Sequence, residues 1–268
     1  GQFFDVGIEE EHAVTFSAGL AAGGMRPFCN IYSSFSQRAY DEIIHDVALQ
    51  NLPVVLCFDR AGLVGEDGAT HHGCYDMAAY RSIPGAVVSA PRNEIELKNL
   101  MYTALHYDGG PFIIRYPRGC GEGVAWKEAQ YEELPVGKGE KLMDGEGLAI
   151  IAAGPEACRA MEAAEIIRER TGHAPAIYDI RYIKPLDTQI LEEAASKGRI
   201  LTVEEGCVKG GLFGAVTEYM AEHSHVIPVG GIGIPDMYVA QDRQDSQRHD
   251  CGLDVEGIAE KAVRMMEM

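Results

Sequence analysis

Two rhythms of apolar and polar residues alternate along the chain. The first is a set of short, mostly apolar runs: PVVLCF from Pro53, which has no polar alternation, AVVSA from Ala86, FIIRY from Phe112, GLAIIAAG from Gly147, APAIYDI from Ala174 and RILTVEE from Arg199. Such runs fit parallel strands buried on both faces. RPFCNIYSSF from Arg26 and HVIPV from His225 are also read as strands. The second rhythm is helical. Tyr40, Ile43, Ile44 and Val47 fall on one helical face. Further helices are predicted over 93–107, 156–170, 188–196, 212–222 and 255–266. Regular β/α alternation predicts doubly wound, mostly parallel sheets. Periodicity is lost from Pro117 to about Pro135, a stretch holding GCGEG and the only tryptophan, Trp126. It is read as a linker, so the fold class is α/β with two doubly wound, mostly parallel-sheet domains.

The opening stretch FFDVGIEEEH reads as a short apolar strand running into three glutamates and a histidine. The helix HAVTFSAGLAAGG follows and stops at Gly23-Gly24. A carboxylate at a helix N-terminus is favoured in its charged form by backbone N–H groups and the macrodipole. Three in a row are crowded, so one is expected to face a cavity, kept protonated or given a partner. The alternative is a helix start with a solvated acidic first turn.

Parallel sheets bind ligands beyond the carboxyl ends of their strands. In the first domain those ends are Glu10, Tyr32–Arg38, Asp59–His72 and Arg118, which are expected to converge on one crevice. The loop DRAGLVGEDGATHHGCYD is long and glycine-rich, as functional loops often are. Asp67 and His71 in it form either a proton-transfer pair or a capped surface turn. Arg38 and Arg118 suit a phosphate or carboxylate, or else make surface ion pairs. Tyr32 and Phe35 flank a two-serine turn, where an aromatic either stacks on a flat heterocycle or packs beneath the helix. KGGLFG from Lys209 lacks the spacing of a phosphate loop and reads as close strand–helix packing, with Glu204-Glu205 as strand-end charge. HHGC has no second cluster to complete a metal site, so no metal ligands are assigned.

Of 268 residues, 46% are hydrophobic and 24% charged, as in a soluble globular protein. The net charge of −18 argues against nucleic acid or an anionic membrane surface as partner. It leaves room for an anionic substrate held by a few arginines. The seven cysteines form no CxxC and read as reduced thiols in a cytoplasmic protein. No apolar run approaches the ~18 residues of a membrane span. The chain opens without methionine and inside an element, as a piece of a longer protein would.

Several segments resemble the 1-deoxy-D-xylulose-5-phosphate synthase family, thiamine-diphosphate enzymes related to transketolase. They are FFDVGIEEEHAVTFSAGLAAGG, IYSSFSQRAYDEIIHDVALQNLPVV, DRAGLVGEDGATHHGCYD, IRYPRGCGEG, IRYIKPLD, LTVEEGCVKGGLFGAV and GIPDMYV. The resemblance implies a transketolase-like pyrimidine-binding domain over 1–118, lacking its opening helix and strand, a linker over 119–137 and a transketolase C-terminal domain over 138–268. Glu10 stands where the family's glutamate hydrogen-bonds the cofactor's aminopyrimidine ring and promotes its imino tautomer. The family usually has smaller or neutral residues at the positions of Glu9 and Glu11. Phe35 corresponds to the aromatic stacked on the pyrimidine, and Ile8 to an apolar support. Tyr32, Arg38, Asp67, His71 and Arg118 match substrate-handling positions; Glu10, Asp67 and His71 are the catalytic candidates. The implied reaction is a transferase reaction joining pyruvate to glyceraldehyde 3-phosphate with loss of carbon dioxide. It feeds isoprenoid, thiamine and pyridoxal synthesis. Implied cofactors are thiamine diphosphate and magnesium, and the implied assembly is a homodimer. The family's GDG motif and downstream asparagine, which hold diphosphate and magnesium, are not in this chain. The resemblance places them in an N-terminal domain, so this polypeptide alone is expected to be inactive. Other readings are a small subunit of a split transketolase-like enzyme and a non-catalytic α/β binding module.

Overall fold

A computed structural model describes residues 2–267. Its first sheet contains β1 (Phe28–Tyr32), β2 (Val55–Ala61), β3 (Val87–Ser89) and β4 (Phe112–Pro117), all parallel, in the order β1-β2-β4-β3. The second contains β5 (Glu140–Met143), β6 (Ala149–Ala153), β7 (Ala176–Asp179), β9 (Ile200–Cys207) and β10 (Val229–Ile234), in the order β10-β9-β6-β7-β5. Only β5 runs antiparallel there. All five residues of β6 are buried, which explains its unbroken apolar run. Helices cover both sheets, and the family of folds predicted from the alternation is the one formed.

The two halves are not independent. β8 (Tyr182–Lys184) follows β7 in the chain but pairs antiparallel with β3 of the first sheet. Arg181 precedes it, nearly buried, and donates to Glu96 Oε1 (2.7 Å) and Glu140 Oε2 (3.0 Å). One hydrophobic core runs through both halves, from Val14 and Phe58 through Tyr80 to Leu212 and Val216.

Some local expectations change. Phe3–Val6 forms no strand; Phe3 and Phe4 are exposed and pair with no neighbour in the sheet. The helix begins at Glu10 rather than after the glutamates. The last strand is Val229–Ile234, not HVIPV, because Pro228 has no N–H for a ladder and Val226 points to solvent. The strand instead runs through the glycines, where Phe213 packs closely on Gly231. The short helix Gln244–Asp250 and strands β5 and β8 have no clear pattern in the sequence.

Glu204 and Glu205 are also not strand-end surface charge; both are buried. Glu204 accepts from the N–H groups of Leu212 (2.7 Å) and Phe213 (2.8 Å), so it caps the helix Leu212–Glu222. Burial pushes its carboxyl up to about 7 against the pull of those two donors. A group whose pKa is raised on folding contributes stability below its unfolded value, and that contribution is lost as pH rises through the folded value. Glu204→Gln turns an amide NH2 toward one of the two N–H donors. It should cost about 2 kcal/mol, the penalty of a buried unpaired donor. Urea unfolding from pH 5 to 8 checks this: the native chain should lose stability over that range, and Glu204→Gln should flatten the slope. An unchanged slope would remove Glu204 as the titrating group.

Candidate active site

Sheet register sets the site. Tyr32 at the end of β1 lies opposite Asp59, and Ala61 at the end of β2 lies opposite Pro117 at the end of β4. The residues just beyond these ends therefore share one edge, as parallel sheets require of their ligand sites.

Glu10 is the glutamate that turns inward. Its side chain is 11% exposed and accepts from Arg38 Nη1 at 3.1 Å, while Glu9 and Glu11 are exposed. The crowding of three carboxylates is thus relieved by sending two into water. The Arg38 guanidinium lies 4.7 Å from the centre of the Phe35 ring. Phe35 stacks with Tyr32, ring centres 5.9 Å apart, and meets the His71 ring edge-on at 5.1 Å. Phe35 is half-buried rather than a core aromatic.

From Tyr32 the row continues through a residue that the sequence did not single out. The Arg60 guanidinium lies 4.1 Å above the Tyr32 ring and donates to Asp67 Oδ2 at 3.2 Å. Arg60 has φ +58°, the left-handed region that non-glycine residues rarely adopt. Asn51, Arg181 and Ser224 share that region, and of the four only Arg60 lies in this row. Asp67 also faces Arg118 Nε at 3.6 Å, and Arg118 Nη1 donates to the Val64 carbonyl at 2.9 Å.

One expectation is corrected. Asp67 and His71 do not form a pair: Asp67 is held by Arg60 and Arg118, and His71 Nδ1 is 2.8 Å from Thr70 Oγ1. A tight turn (Gly65–Asp67) points the carboxylate toward the arginines. Arg38 and Arg118 pair with separate carboxylates. Arg38 is engaged by Glu10, whereas Arg118 shares Asp67 with Arg60. Ile8 is 88% exposed, on the segment leading into Glu10.

The next histidine, His72, is buried, and its Nδ1 accepts the Val64 N–H at 3.1 Å. Burial lowers its pKa, which suits a neutral ring with the proton on Nε2. Beneath the two-serine turn, Ser33 Oγ donates to Asp76 Oδ2 (3.0 Å), which also accepts from Arg115 Nε (2.8 Å). Gly73 lets the loop close over this turn, since a Cβ there would lie 2.6 Å from Ser33 Oγ and from the Arg60 carbonyl.

Phe35, with Arg38 over its ring and Tyr32 stacked on it, thus links Glu10 to the two arginines gathered around Asp67. Residues 1–122 match the transketolase pyrimidine binding domain, and residues 137–258 match the transketolase C-terminal domain. The chain carries these two domains and has a transketolase-like fold. A solved structure titled split gene transketolase, inactive beta4 tetramer, superposes with a TM-score of 0.86 and 29% identity, covering 99% of this chain and 85% of that one.

Within that class its sequence is similar to 1-deoxy-D-xylulose-5-phosphate synthases. It is 52% identical to the synthase of Bacteroides thetaiotaomicron over 99% of this chain and 41% of that protein. For the synthase of Bacteroides fragilis the identity is 54% over 95% and 39%, and for that of Cyanothece sp. 48% over 98% and 42%. The chain spans about two fifths of the length of these relatives.

Proposed function

We propose that this chain forms the pyrimidine-binding and C-terminal part of a 1-deoxy-D-xylulose-5-phosphate synthase. The enzyme joins pyruvate to glyceraldehyde 3-phosphate with loss of carbon dioxide, in the cytoplasm and as a homodimer. The observation that carries this reading is the continuous row Glu10–Arg38–Phe35–Tyr32–Arg60–Asp67–Arg118, with His71 on Phe35. It joins an acid and an aromatic face at one end to an anion site at the other.

The residues present fit thiamine diphosphate at its pyrimidine end. Phe35 offers a half-buried ring face, and Glu10 a sheltered carboxyl at a helix start. Ile8 is the candidate apolar support. When bound, the cofactor supplies the carbanion chemistry on pyruvate. Glu10 would hold a ring nitrogen and its proton; Phe35 would fix the ring plane. Arg118, with Arg60, would hold the phosphate bidentately. His71 and Tyr32 would face the aldehyde and hydroxyl groups, Asp67 would keep the arginines aligned, and Arg38 would orient Glu10. Magnesium and the diphosphate would be held by residues outside these 268, so the isolated chain is expected to be inactive.

The test is an assay of the protein from the complete reading frame with pyruvate, glyceraldehyde 3-phosphate, thiamine diphosphate and magnesium. Formation of 1-deoxy-D-xylulose 5-phosphate is expected; ketol transfer between sugar phosphates without it would overturn the reading. In the same assay Arg118→Ala should raise the KM for glyceraldehyde 3-phosphate by roughly 10- to 100-fold, the loss of one charge-assisted contact, with the pyruvate KM little changed. An unchanged KM would remove Arg118 from the phosphate site. The split-gene structure supports a second reading, a small subunit working with a separate partner chain. Intact mass of the native protein decides between them.

A further inference from the structure

The loop carrying Asp67 and His71 is held at its start by the second domain. The Leu63 N–H donates to Glu205 Oε1 (2.9 Å), and the Leu63 carbonyl accepts from Gln244 Nε2 (2.6 Å). The Gly65 N–H donates to Gln247 Oε1 (2.9 Å), and the Gly65 carbonyl accepts from Gln247 Nε2 (3.1 Å). Between them, Val64 is held on its N–H by His72 and on its carbonyl by Arg118. All six backbone polar groups of three consecutive residues are thus satisfied by side chains. Glu205, Gln244 and Gln247, which hold Leu63 and Gly65, belong to the second domain.

Gln247 is the centre of this grip. It is 1% exposed, and its Nε2 also donates to the Ala240 carbonyl at 2.7 Å. With Nε2 on two carbonyls and Oε1 on an N–H, only one orientation of the carboxamide satisfies every partner. The paired bonds to Gly65 act like one rung of a β-ladder made by a side chain. They fix the turn from which Asp67 projects toward Arg60 and Arg118.

We propose that Gln247 is a positioning residue for the phosphorylated aldehyde: the C-terminal domain sets the substrate loop of the pyrimidine-binding domain through this carboxamide. The inference rests on the proposed synthase function and deepens it. Glu10 and Phe35 are carried by other elements, the helix Glu10–Ala22 and the turn after β1. Loss of the grip therefore affects one end of the site only. Removing the carboxamide leaves the buried Gly65 N–H without its partner and takes one bond from the Gly65 carbonyl, which keeps only the Gly68 N–H at 3.1 Å, so the turn loses its tie to the second domain and shifts. A shift of about 1 Å in a substrate-holding group costs on the order of 100-fold when the group acts in the transition state.

The experiment compares Gln247→Met, of similar shape but without the hydrogen bonds, and Gln244→Ala with the native protein from the complete reading frame. KM is measured for each substrate, together with the thermal midpoint. Gln247→Met should raise the KM for glyceraldehyde 3-phosphate by about tenfold or more. The KM for pyruvate should stay within about twofold, and Gln244→Ala should show the same split more weakly. Equal loss in both substrates alongside a lowered midpoint would make Gln247 a packing residue only, and an unchanged KM would overturn the proposal outright. Should Gln247→Met not fold, the split in Gln244→Ala decides. Should the native protein make no 1-deoxy-D-xylulose 5-phosphate, the synthase reading fails. Amide hydrogen exchange then tests the grip separately. Faster exchange at Leu63–Asp67 in Gln247→Met upholds it, and native rates at those amides refute it.

Discussion

Glu10→Ala in the complete enzyme is expected to lower turnover on the order of 10³-fold while leaving the fold intact. The sequence puts a carboxyl at the first turn of a helix, and the structure turns that one inward onto Arg38, whose guanidinium lies over the Phe35 ring. Among the described residues its one side-chain hydrogen-bond partner is Arg38, whose side chain is 52% exposed. An ion pair with a partner that open is worth ~0–1 kcal/mol, so truncating Glu10 removes little stability. Under the proposed function, what it removes is the acid that would hold a proton on a heterocyclic nitrogen. No other carboxylate takes its place, because Glu9 and Glu11 face water. The checks are steady-state turnover and the rate of hydrogen–deuterium exchange at the cofactor's reactive carbon. Near-native values in either would refute the role given to Glu10. Glu10→Gln should fall between the two, since an amide keeps a hydrogen bond but cannot share a proton.

Arg115→Leu should destabilise the chain by about 3–5 kcal/mol, the range for breaking a buried ion pair from one side. Arg115 and Asp76 are both nearly fully buried and meet at 2.8 Å. Arg115 Nη2 also donates to the Glu205 carbonyl at 2.9 Å, which joins β4 of the first sheet to β9 of the second. Without the guanidinium, Asp76 is a charge in the core with only Ser33 Oγ and its own following N–H as partners. Guanidinium chloride unfolding measures the loss. The double variant Asp76→Asn/Arg115→Leu should recover part of it, because an amide carries no charge to desolvate. No recovery would mean that Arg115 acts through packing and its bond to Glu205 instead.

Much of the architecture was legible because burial on both faces leaves a mark that one sequence can show. β6 is an unbroken apolar run, β2, β4 and β9 open on mostly apolar stretches, and the helices at 188–196, 212–222 and 255–266 end where their patterns end. What was not legible has a common cause. β8 crosses to the other sheet, β10 is a run through glycines, and the helix Gln244–Asp250 is almost wholly polar. None of these buries a periodic apolar face, so none leaves a periodic signal. The glutamates at the end of β9 were misread for a similar reason. Charge in a sequence does not say whether donors wait for it, and Glu204 is buried only because the N–H groups of Leu212 and Phe213 point at it.

The site divides the same way. The residue types and their places at strand ends came from the sequence: Glu10, Tyr32, Phe35, Arg38, Asp67, His71 and Arg118. Which of them meet came from the fold. Asp67 turned to two arginines rather than to His71, and Arg60 entered through a left-handed backbone angle with no sequence mark.

The sequence alone determined the two-domain α/β plan, the transketolase-like resemblance and the set of polar residues gathered near the sheet edge. These depend on local periodicity and on which side chains follow each strand. Only the tertiary structure decided the pairing among those residues and the role of Gln247 and Glu205 in holding the loop. The contacts of Glu205 and Gln247 with the loop join positions more than a hundred residues apart, and hydrogen bonds of that reach are fixed by how two sheets dock, which no local pattern records.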